Sequence, residues 1–101
     1  MPTSSHFGKT ETVKWFKDNE HNITRILDIG AGSGTYPKLI KGAGICKDAE
    51  WVGVEVWEPY INQFNLTSLY SKIVVEDARK INWSALGRFT VASAGGSAKL
   101  S

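Results

Sequence analysis

The sequence lacks the features that define several large classes of protein. Cysteine occurs once in its 101 residues, as Cys46, so no disulfide can form within the chain. This argues against a small disulfide-stabilised secreted fold and favours a reducing, cytoplasmic setting. No Cys and His residues stand at the short spacings of a zinc site, so we expect no metal.

Long apolar segments and runs of one charge are also missing. No apolar run approaches the roughly 20 residues of a membrane-spanning helix, and the amino terminus lacks an apolar signal segment. We therefore expect no membrane partner. The 12 basic and 10 acidic residues are spread along the chain and give a net charge of +2. This distribution leaves no clear footprint for nucleic acid. With 42% hydrophobic residues, the composition is that of one ordinary globular domain.

The most informative stretch of the sequence is a glycine-rich loop after a short apolar run. Ile26-Leu27 is followed by Asp28-Ile29-Gly30-Ala31-Gly32-Ser33-Gly34. This pattern predicts a buried strand that turns through glycines into a helix. Glycines at alternate positions allow dihedral angles that are closed to other residues, and they let a ligand lie directly on backbone N–H groups. The loop is therefore predicted to bind a nucleoside cofactor.

The spacing of the glycines bears on which nucleoside is bound. A nicotinamide-dinucleotide fingerprint needs a third glycine at position 35, which is Thr35. The carboxylate of Asp28 would also repel a pyrophosphate but attract a ligand ammonium group. The loop therefore favours a nucleoside that carries an amino acid, and the dehydrogenase hypothesis is the weaker one.

Two later segments continue a pattern in which a strand ends in an acidic residue. They are Trp51-Val52-Gly53-Val54-Glu55 and Ile73-Val74-Val75-Glu76-Asp77-Ala78. With the glycine loop, they make the chain resemble the class I S-adenosylmethionine (SAM)-dependent methyltransferases. The resemblance implies that Asp28 and the loop hold the methionine part of SAM, that Glu55 accepts hydrogen bonds from the ribose hydroxyls, and that Asp77 binds near the adenine amine.

The resemblance therefore implies a set of cofactor-binding residues, whereas it identifies no catalytic residue and no methyl acceptor. Trp57 is a candidate for stacking on the adenine, with ordinary packing as the alternative, and Tyr36 could cover the methionine part or merely flank the helix start. The full set is Asp28, Gly30, Ala31, Gly32, Ser33, Gly34, Tyr36, Glu55, Val56, Trp57, Asp77 and Ala78.

The expected architecture is a partial doubly wound, Rossmann-like α/β fold. Apolar periodicity predicts strands at residues 24–29, 51–56, 72–75 and 89–92, and helices at 10–19, 36–41, 59–70 and 83–86. Right-handed crossovers and the resemblance give about four parallel strands in the order 3-2-1-4. The cofactor is then expected at the carboxyl ends of strands 1 to 3.

The resemblance covers the amino-terminal half of the family's domain. We expect an amino-terminal arm and helix at residues 1–23, a SAM-binding half-domain at 24–92 and a flexible tail at 93–101. Strand 4 would then be an open edge, which predicts a homodimer unless the tail folds over that edge.

Two functional hypotheses follow from the sequence. In one, the chain is a truncated SAM-dependent methyltransferase that yields S-adenosylhomocysteine (SAH). In the other, it is a non-catalytic SAM- or SAH-binding half-domain, or a fragment, that self-associates.

Overall fold

A computed structural model describes residues 9–94 and 97–100 of the chain. Within them, strands and helices alternate. The strands are β1 (Arg25–Ile29), β2 (Glu50–Val54), β3 (Lys72–Val74), β4 (Val91–Ala94) and β5 (Ser97–Leu100). The helices are α1 (Lys9–Asp18), α2 (Thr35–Gly42), α3 (Pro59–Gln63) and α4 (Trp83–Leu86), with single 3-10 turns at Glu20–Asn22, Leu66–Ser68 and Ala78–Lys80.

The described strands form one sheet in the order β3-β2-β1-β4-β5. The first four are parallel, and β5 runs antiparallel to β4. The predicted order 3-2-1-4 is confirmed, and with it the Rossmann-like class. Because parallel strands joined by crossovers end at the same edge of a sheet, the carboxyl ends of β1, β2 and β3 lie side by side.

The central strand, β1, positions the row of residues that matters most for the site. In the strand register, Asp28 lies between Gly53 of β2 and Ser93 of β4. Residues paired in this way direct their side chains to the same face of the sheet. Asp28 and Ser93 therefore point to one face, and Gly53 places no side chain of its own beside them.

One face of the sheet is covered by α1, α2 and the segment around α3. Phe16 of α1 is fully buried, and its ring stacks on Trp51 of β2 at a centroid distance of 6.2 Å. Ile40 of α2 and Leu66 are also fully buried in this cluster. The leading helix thus packs against the sheet as predicted, and burial of each such side chain contributes about 1.5–3 kcal/mol.

The opposite face has a smaller core. Leu27, Val52 and Val54 are buried there, and Ile81 and Phe89 pack against them. These two residues belong to the β3–β4 connection, which holds a 3-10 turn and the four-residue α4. Among the described residues, the longer helices therefore all lie on the other face.

The predicted helix over residues 59–70 is wrong beyond Gln63. Asn65 adopts a left-handed conformation with φ of 52°, which ends the helix, and a 3-10 turn follows at Leu66–Ser68. Asn is one of the few residues that enter this conformation readily. The inward stripe expected from the apolar spacing, Ile61, Phe64 and Leu69, is half-buried against the core, whereas the fully buried residue of this segment is Leu66.

The carboxyl-terminal segment also differs from the expectation of a flexible tail. Ser93 and Ala94 belong to β4, and Ser97–Leu100 forms β5 beside it. Strand β4 begins at Val91 rather than at residue 89, because the Thr90 hydroxyl accepts from the backbone N–H groups of Thr24 and Arg25 and fixes the entry to the strand. The β4 edge is therefore paired, and the outer strands of the described sheet are β3 and β5.

Parts of two expectations fall outside the described residues. They are the amino-terminal arm at residues 1–8 and positions 95, 96 and 101 of the tail. None of the helices in residues 9–94 and 97–100 combines the length and apolar character needed to cross a membrane.

Candidate functional site

The glycine loop between β1 and α2 adopts the conformation that its sequence predicts. Gly30, Gly32 and Gly34 all have positive φ, of 74°, 54° and 76°. The N–H groups of Gly30 and Ala31 both donate to the Val54 carbonyl of β2, at 2.8 and 3.0 Å. The loop is therefore tied to the end of the neighbouring strand and does not depend on its own turns alone.

Two of these glycines meet different surroundings. A Cβ atom at Gly34 would lie 2.5 Å from Cδ1 of Leu69 and 3.2 Å from Cδ2 of Leu66, so this position is needed for close packing. A Cβ atom at Gly30 would meet nothing within 4 Å. The open side of the loop at Gly30 is where a ligand could approach the backbone.

Glu55, directly after β2, is fixed at both carboxylate oxygens. Oε1 accepts from the Gly32 N–H at 2.7 Å, and Oε2 accepts from the Trp57 N–H at 2.9 Å. The residue is only 6% exposed. Because an ionised carboxylate has about four acceptor positions, each oxygen keeps capacity for one more donor. Glu55 is thus held in place and can still accept two ligand hydroxyls.

Asp28 is buried at the end of β1, with 3% exposure. Its Oδ2 accepts a hydrogen bond from the Tyr70 hydroxyl. Burial raises the pKa of Asp28 to about 6, with a smaller contribution from the nearby Glu55, although the Tyr70 hydrogen bond opposes the shift. Asp28 is therefore mostly ionised at neutral pH but close to its titration range.

Tyr70 reaches Asp28 because β2 has a glycine opposite it. A Cβ atom at Gly53 would lie 3.0–3.1 Å from three atoms of the Tyr70 ring. Sequence analysis missed Tyr70, which it assigned only to the end of a helix. A glycine inside a buried strand was the available signal, since such a glycine often marks close approach by another group.

Tyr36 and Ser93 complete the polar surroundings of Asp28. Burial, then the charge of Asp28, raises the pKa of the Tyr36 phenol, while the Ser93 hydroxyl beside it acts in the opposite sense. Ser93 is 1% exposed, and its Oγ makes no hydrogen bond of standard geometry among the described residues. Tyr36 lies on α2 and Ser93 on β4, so they approach Asp28 from two elements other than the one that carries Tyr70.

A cavity of about 210 Å³ opens between the ends of β1, β2 and β3. It brings together five of the predicted site residues, namely Gly30, Glu55, Val56, Asp77 and Ala78, with Ile29, Val54 and Glu76. Complete small-molecule sites typically measure about 300–1,000 Å³. The cavity is therefore of a size to hold part of a nucleoside, with apolar side chains at its base and carboxylates at its rim.

Asp77, at the end of β3, is held differently from Asp28. Its carboxylate accepts from the guanidinium of Arg79 at 2.6 and 3.0 Å and from the Arg79 backbone N–H at 2.9 Å. These contacts hold the pKa of Asp77 well below its usual range. Sequence analysis missed Arg79, although it stands two residues beyond the predicted Asp77.

The remaining predicted residues lie around the cavity and do not line it. Trp57 is 57% exposed and is not part of the core. The Ser33 hydroxyl contacts that of Thr35 at 3.0 Å at the start of α2. Stacking of Trp57 on a base stays a prediction, because the side chain is exposed but is not among the residues that line the cavity.

The edge of the sheet is strongly acidic. Asp28, Glu55, Glu76 and Asp77 lie at or next to the three strand ends, and Arg79 is paired with one of them. The residues described by the structure contain no group of acidic, His or Cys side chains suited to a metal ion. Such an edge would attract a ligand with an ammonium or sulfonium group and disfavour one with a pyrophosphate.

Comparison with known proteins gives matches at the level of structure. No protein-family profile matches the sequence, and no curated protein matches it. The plantazolicin methyltransferase BpumL in complex with SAH has 21% identity and a TM-score of 0.64 over 91% of this chain. The amino-terminal domain of EvdMO1 with SAH bound has 19% identity and a TM-score of 0.63 over 83% of it.

The matches also show what share of each matched protein's length this chain spans. It spans 35% of the BpumL chain and 36% of the EvdMO1 amino-terminal domain. A structure of EvdMO1, of which it spans 21%, matches with 18% identity and a TM-score of 0.64. The chain therefore has the Rossmann-like fold of a SAM-dependent methyltransferase, over about a third or less of each protein's length.

Proposed function

We propose that this chain binds SAM, and its product SAH, at the carboxyl ends of β1, β2 and β3, and that it serves methyl transfer to an acceptor. The glycine loop and Asp28 would hold the methionine part, Glu55 the ribose, and the cavity beside Asp77 the adenine. SAH bound to two structural neighbours supports the choice of ligand.

The observation that carries the proposal is the fixed carboxylate of Glu55. Two backbone N–H groups, from Gly32 and Trp57, hold it across from the open side of the glycine loop. A carboxylate with 6% exposure costs free energy unless it is hydrogen-bonded. Its position beside a cavity therefore favours a ligand that presents two hydroxyls, as a ribose does.

The charge of the site favours SAM over a nicotinamide dinucleotide. Asp28 is buried at the end of β1, directly before the glycine loop, where a dinucleotide would place its pyrophosphate. Like charges in such a setting repel strongly, because the surrounding medium screens them poorly. The Asp28 carboxylate would instead stabilise the ammonium group of SAM, whereas Glu55 suits the ribose of either cofactor.

The chemistry places few demands on protein side chains. SAM would supply a methyl group on a sulfonium sulfur. The acceptor's lone pair would form a bond to the methyl carbon as the carbon–sulfur bond breaks, and the electrons of that bond would stay on the sulfur of the departing SAH. Positioning of reactants can lower such a barrier by about 7–11 kcal/mol. The residues of this chain would contribute by fixing the cofactor, which is consistent with a site that has binding groups and no evident base.

Calorimetric titration with SAH tests the proposal. The parent chain should bind, and Glu55→Gln should weaken binding by about 10- to 100-fold, since a hydrogen bond to a charged group contributes about 1.5–3 kcal/mol. Glu50→Gln is the matched control, because it lies at the opposite end of the same strand and forms a partly exposed ion pair with Arg25. Equal affinity of all three proteins, or no binding by the parent, would contradict the proposed site.

Binding without turnover is the second candidate function. This chain spans at most 36% of each structural neighbour. Contacts to a methyl acceptor could lie in the part of those proteins that the chain does not span, and this favours binding without turnover. Incubation with SAM and candidate acceptors, followed by assay for SAH, separates the two: SAH formation supports methyl transfer, and SAM binding with no SAH supports a binding module.

Two further expectations remain proposals. Homodimerisation was inferred from an open β4 edge; with β4 paired, a dimer would use the β3 or β5 edge. Light scattering would detect it.

A cytoplasmic location agrees with Cys46, a lone buried thiol whose pKa is raised to about 11, mainly by burial.

A further inference from the structure

We infer that Tyr70 is a positioning residue for the cofactor: its hydroxyl fixes the Asp28 carboxylate at the end of β1, so that one oxygen remains for the ligand's ammonium group. This inference rests on the proposed function. It adds a residue that lies outside all three sequence motifs and acts only through Asp28.

The first step of the argument is that Tyr70 is itself rigidly held. It is 4% exposed, and its ring meets Trp51 edge-on at a centroid distance of 6.3 Å. The ring also lies against Gly53, where an added Cβ atom would lie only 3.0–3.1 Å from three ring atoms. A side chain packed in this way presents its hydroxyl at one fixed point.

The second step concerns the two oxygens of Asp28. Tyr70 donates to Oδ2. A carboxylate that is held at one oxygen loses rotational freedom, and the direction of its other oxygen is fixed. Oδ1 is thus the atom through which Asp28 can accept a hydrogen bond from a ligand above the glycine loop.

The third step is that the hydrogen bond keeps Asp28 in the charged form that an ammonium group requires. Titratable groups face Asp28 from three directions: Tyr70, Tyr36 on α2, and Glu55 after β2. Burial and Glu55 both favour the protonated acid, and the Tyr70 hydroxyl opposes them. Without Tyr70, Asp28 would be protonated to a larger extent near neutral pH.

The test is calorimetric SAH binding from pH 5 to 8.5 by the parent, Tyr70→Phe, Tyr60→Phe and Asp28→Asn. Tyr70→Phe keeps the buried ring and removes only the hydroxyl. Tyr60→Phe is the matched control, since Tyr60 packs against Phe64 in the same cluster. Thermal unfolding of each variant establishes that it is folded.

Parent affinity should rise with pH as Asp28 ionises. Tyr70→Phe should bind about tenfold more weakly at pH 6.5, with its rise displaced to higher pH, and Tyr60→Phe should match the parent. Asp28→Asn should bind weakly and lack this rise.

If Tyr70 has only a structural role, the Tyr70→Phe variant should melt at a lower temperature than the parent but keep the parent's affinity and pH profile. This result would overturn the inference and leave the proposed function standing. Absence of SAH binding by the parent at every pH would overturn the proposed function and the inference together.

Discussion

The ends of β1 and β3 carry the same sequence feature in opposite physical settings. Asp28 at the end of β1 is 3% exposed and bonded to a neutral phenol, and burial raises its pKa to about 6. Asp77 at the end of β3 is bonded to Arg79 on the surface, which lowers its pKa. An acidic residue after a strand is therefore one pattern with two electrostatic outcomes.

The position of each strand in the sheet explains the difference. β1 is central, with β2 and β4 on its two sides, so the groups around Asp28 come from other elements. β3 is an outer strand, and the partner of Asp77 comes from two residues further along the chain. The β1 end is therefore held by tertiary packing, whereas the β3 end is held by local contacts. We expect substitutions to affect folding at the first and mainly binding at the second.

Gly34→Ala should produce the largest loss of stability. A left-handed conformation costs an alanine about 1–2 kcal/mol, and the new Cβ atom would also lie 2.5 Å from Leu69. Overpacking of this kind adds about 1–3 kcal/mol. Denaturant unfolding should therefore give a loss of about 2–5 kcal/mol.

Gly44→Ala is the control for the cost of placing an alanine in a left-handed backbone conformation. Gly44 has nearly the same φ, 75°, but the nearest atom to its added Cβ is Cε of Lys47 at 3.8 Å. Its cost should be about 1–2 kcal/mol. If both variants lose equal stability, the packing of the β1 end would not be the tight one described.

Asp28→Asn should remove a pH dependence of stability. Because the pKa of Asp28 is about 6 in the folded chain and 3.8 ordinarily, the folded state retains a proton between these values that the unfolded state has lost. The free energy of unfolding should thus fall by about 2 kcal/mol as pH rises from 4 to 7. Asparagine cannot ionise, so unfolding of the variant should lack this fall. An identical pH profile for both proteins would contradict the account.

Gly53→Ala should have a smaller effect that couples to Tyr70. The added Cβ atom would press on the Tyr70 ring at 3.0 Å, and such crowding costs about 1–3 kcal/mol. In a Tyr70→Ala background the ring is absent, so the same substitution should cost little. A double-mutant cycle measures this coupling, and additive costs would show that the two residues do not interact.

Asp77→Asn should have the least effect on folding. Because the pKa of Asp77 is lowered, its ionised carboxylate stabilises the folded chain at pH values above the ordinary pKa of an aspartate. This stabilisation is lost as pH falls below about 4. Thermal unfolding between pH 5 and 8 should therefore give the same pH profile for the variant and the parent. A change in that profile as large as the one at Asp28 would remove the contrast between the two strand ends.

The sequence predicted the features that depend on local pattern. Alternating apolar segments and glycines were sufficient for the strands, for the loop at Gly30–Gly34 and for the carboxylate of Glu55 at the end of β2, whereas the strand order also needed the handedness rule and the family resemblance. These are properties of short segments, because strand periodicity and positive φ are determined within a few residues.

What the sequence did not predict depends on contacts between distant segments or on weak propensities. The bond from Tyr70 to Asp28 joins residues on different elements, and its only trace in the sequence is Gly53. Strand β5 has small and polar residues with little strand propensity. The Gly-Gly dipeptide between β4 and β5 is a known hairpin signal that was available in the sequence.

The central claim is that the carboxyl ends of β1, β2 and β3 form one SAM- and SAH-binding site. A backbone amide NMR titration with SAH tests it most directly, because each amide reports its own surroundings. The account predicts the largest shifts at Gly30–Gly34, Glu55–Trp57 and Asp77–Ala78, with little change at the opposite strand ends, Arg25, Glu50 and Lys72. Saturable shifts centred on those opposite ends, or no shifts at millimolar SAH, would contradict it.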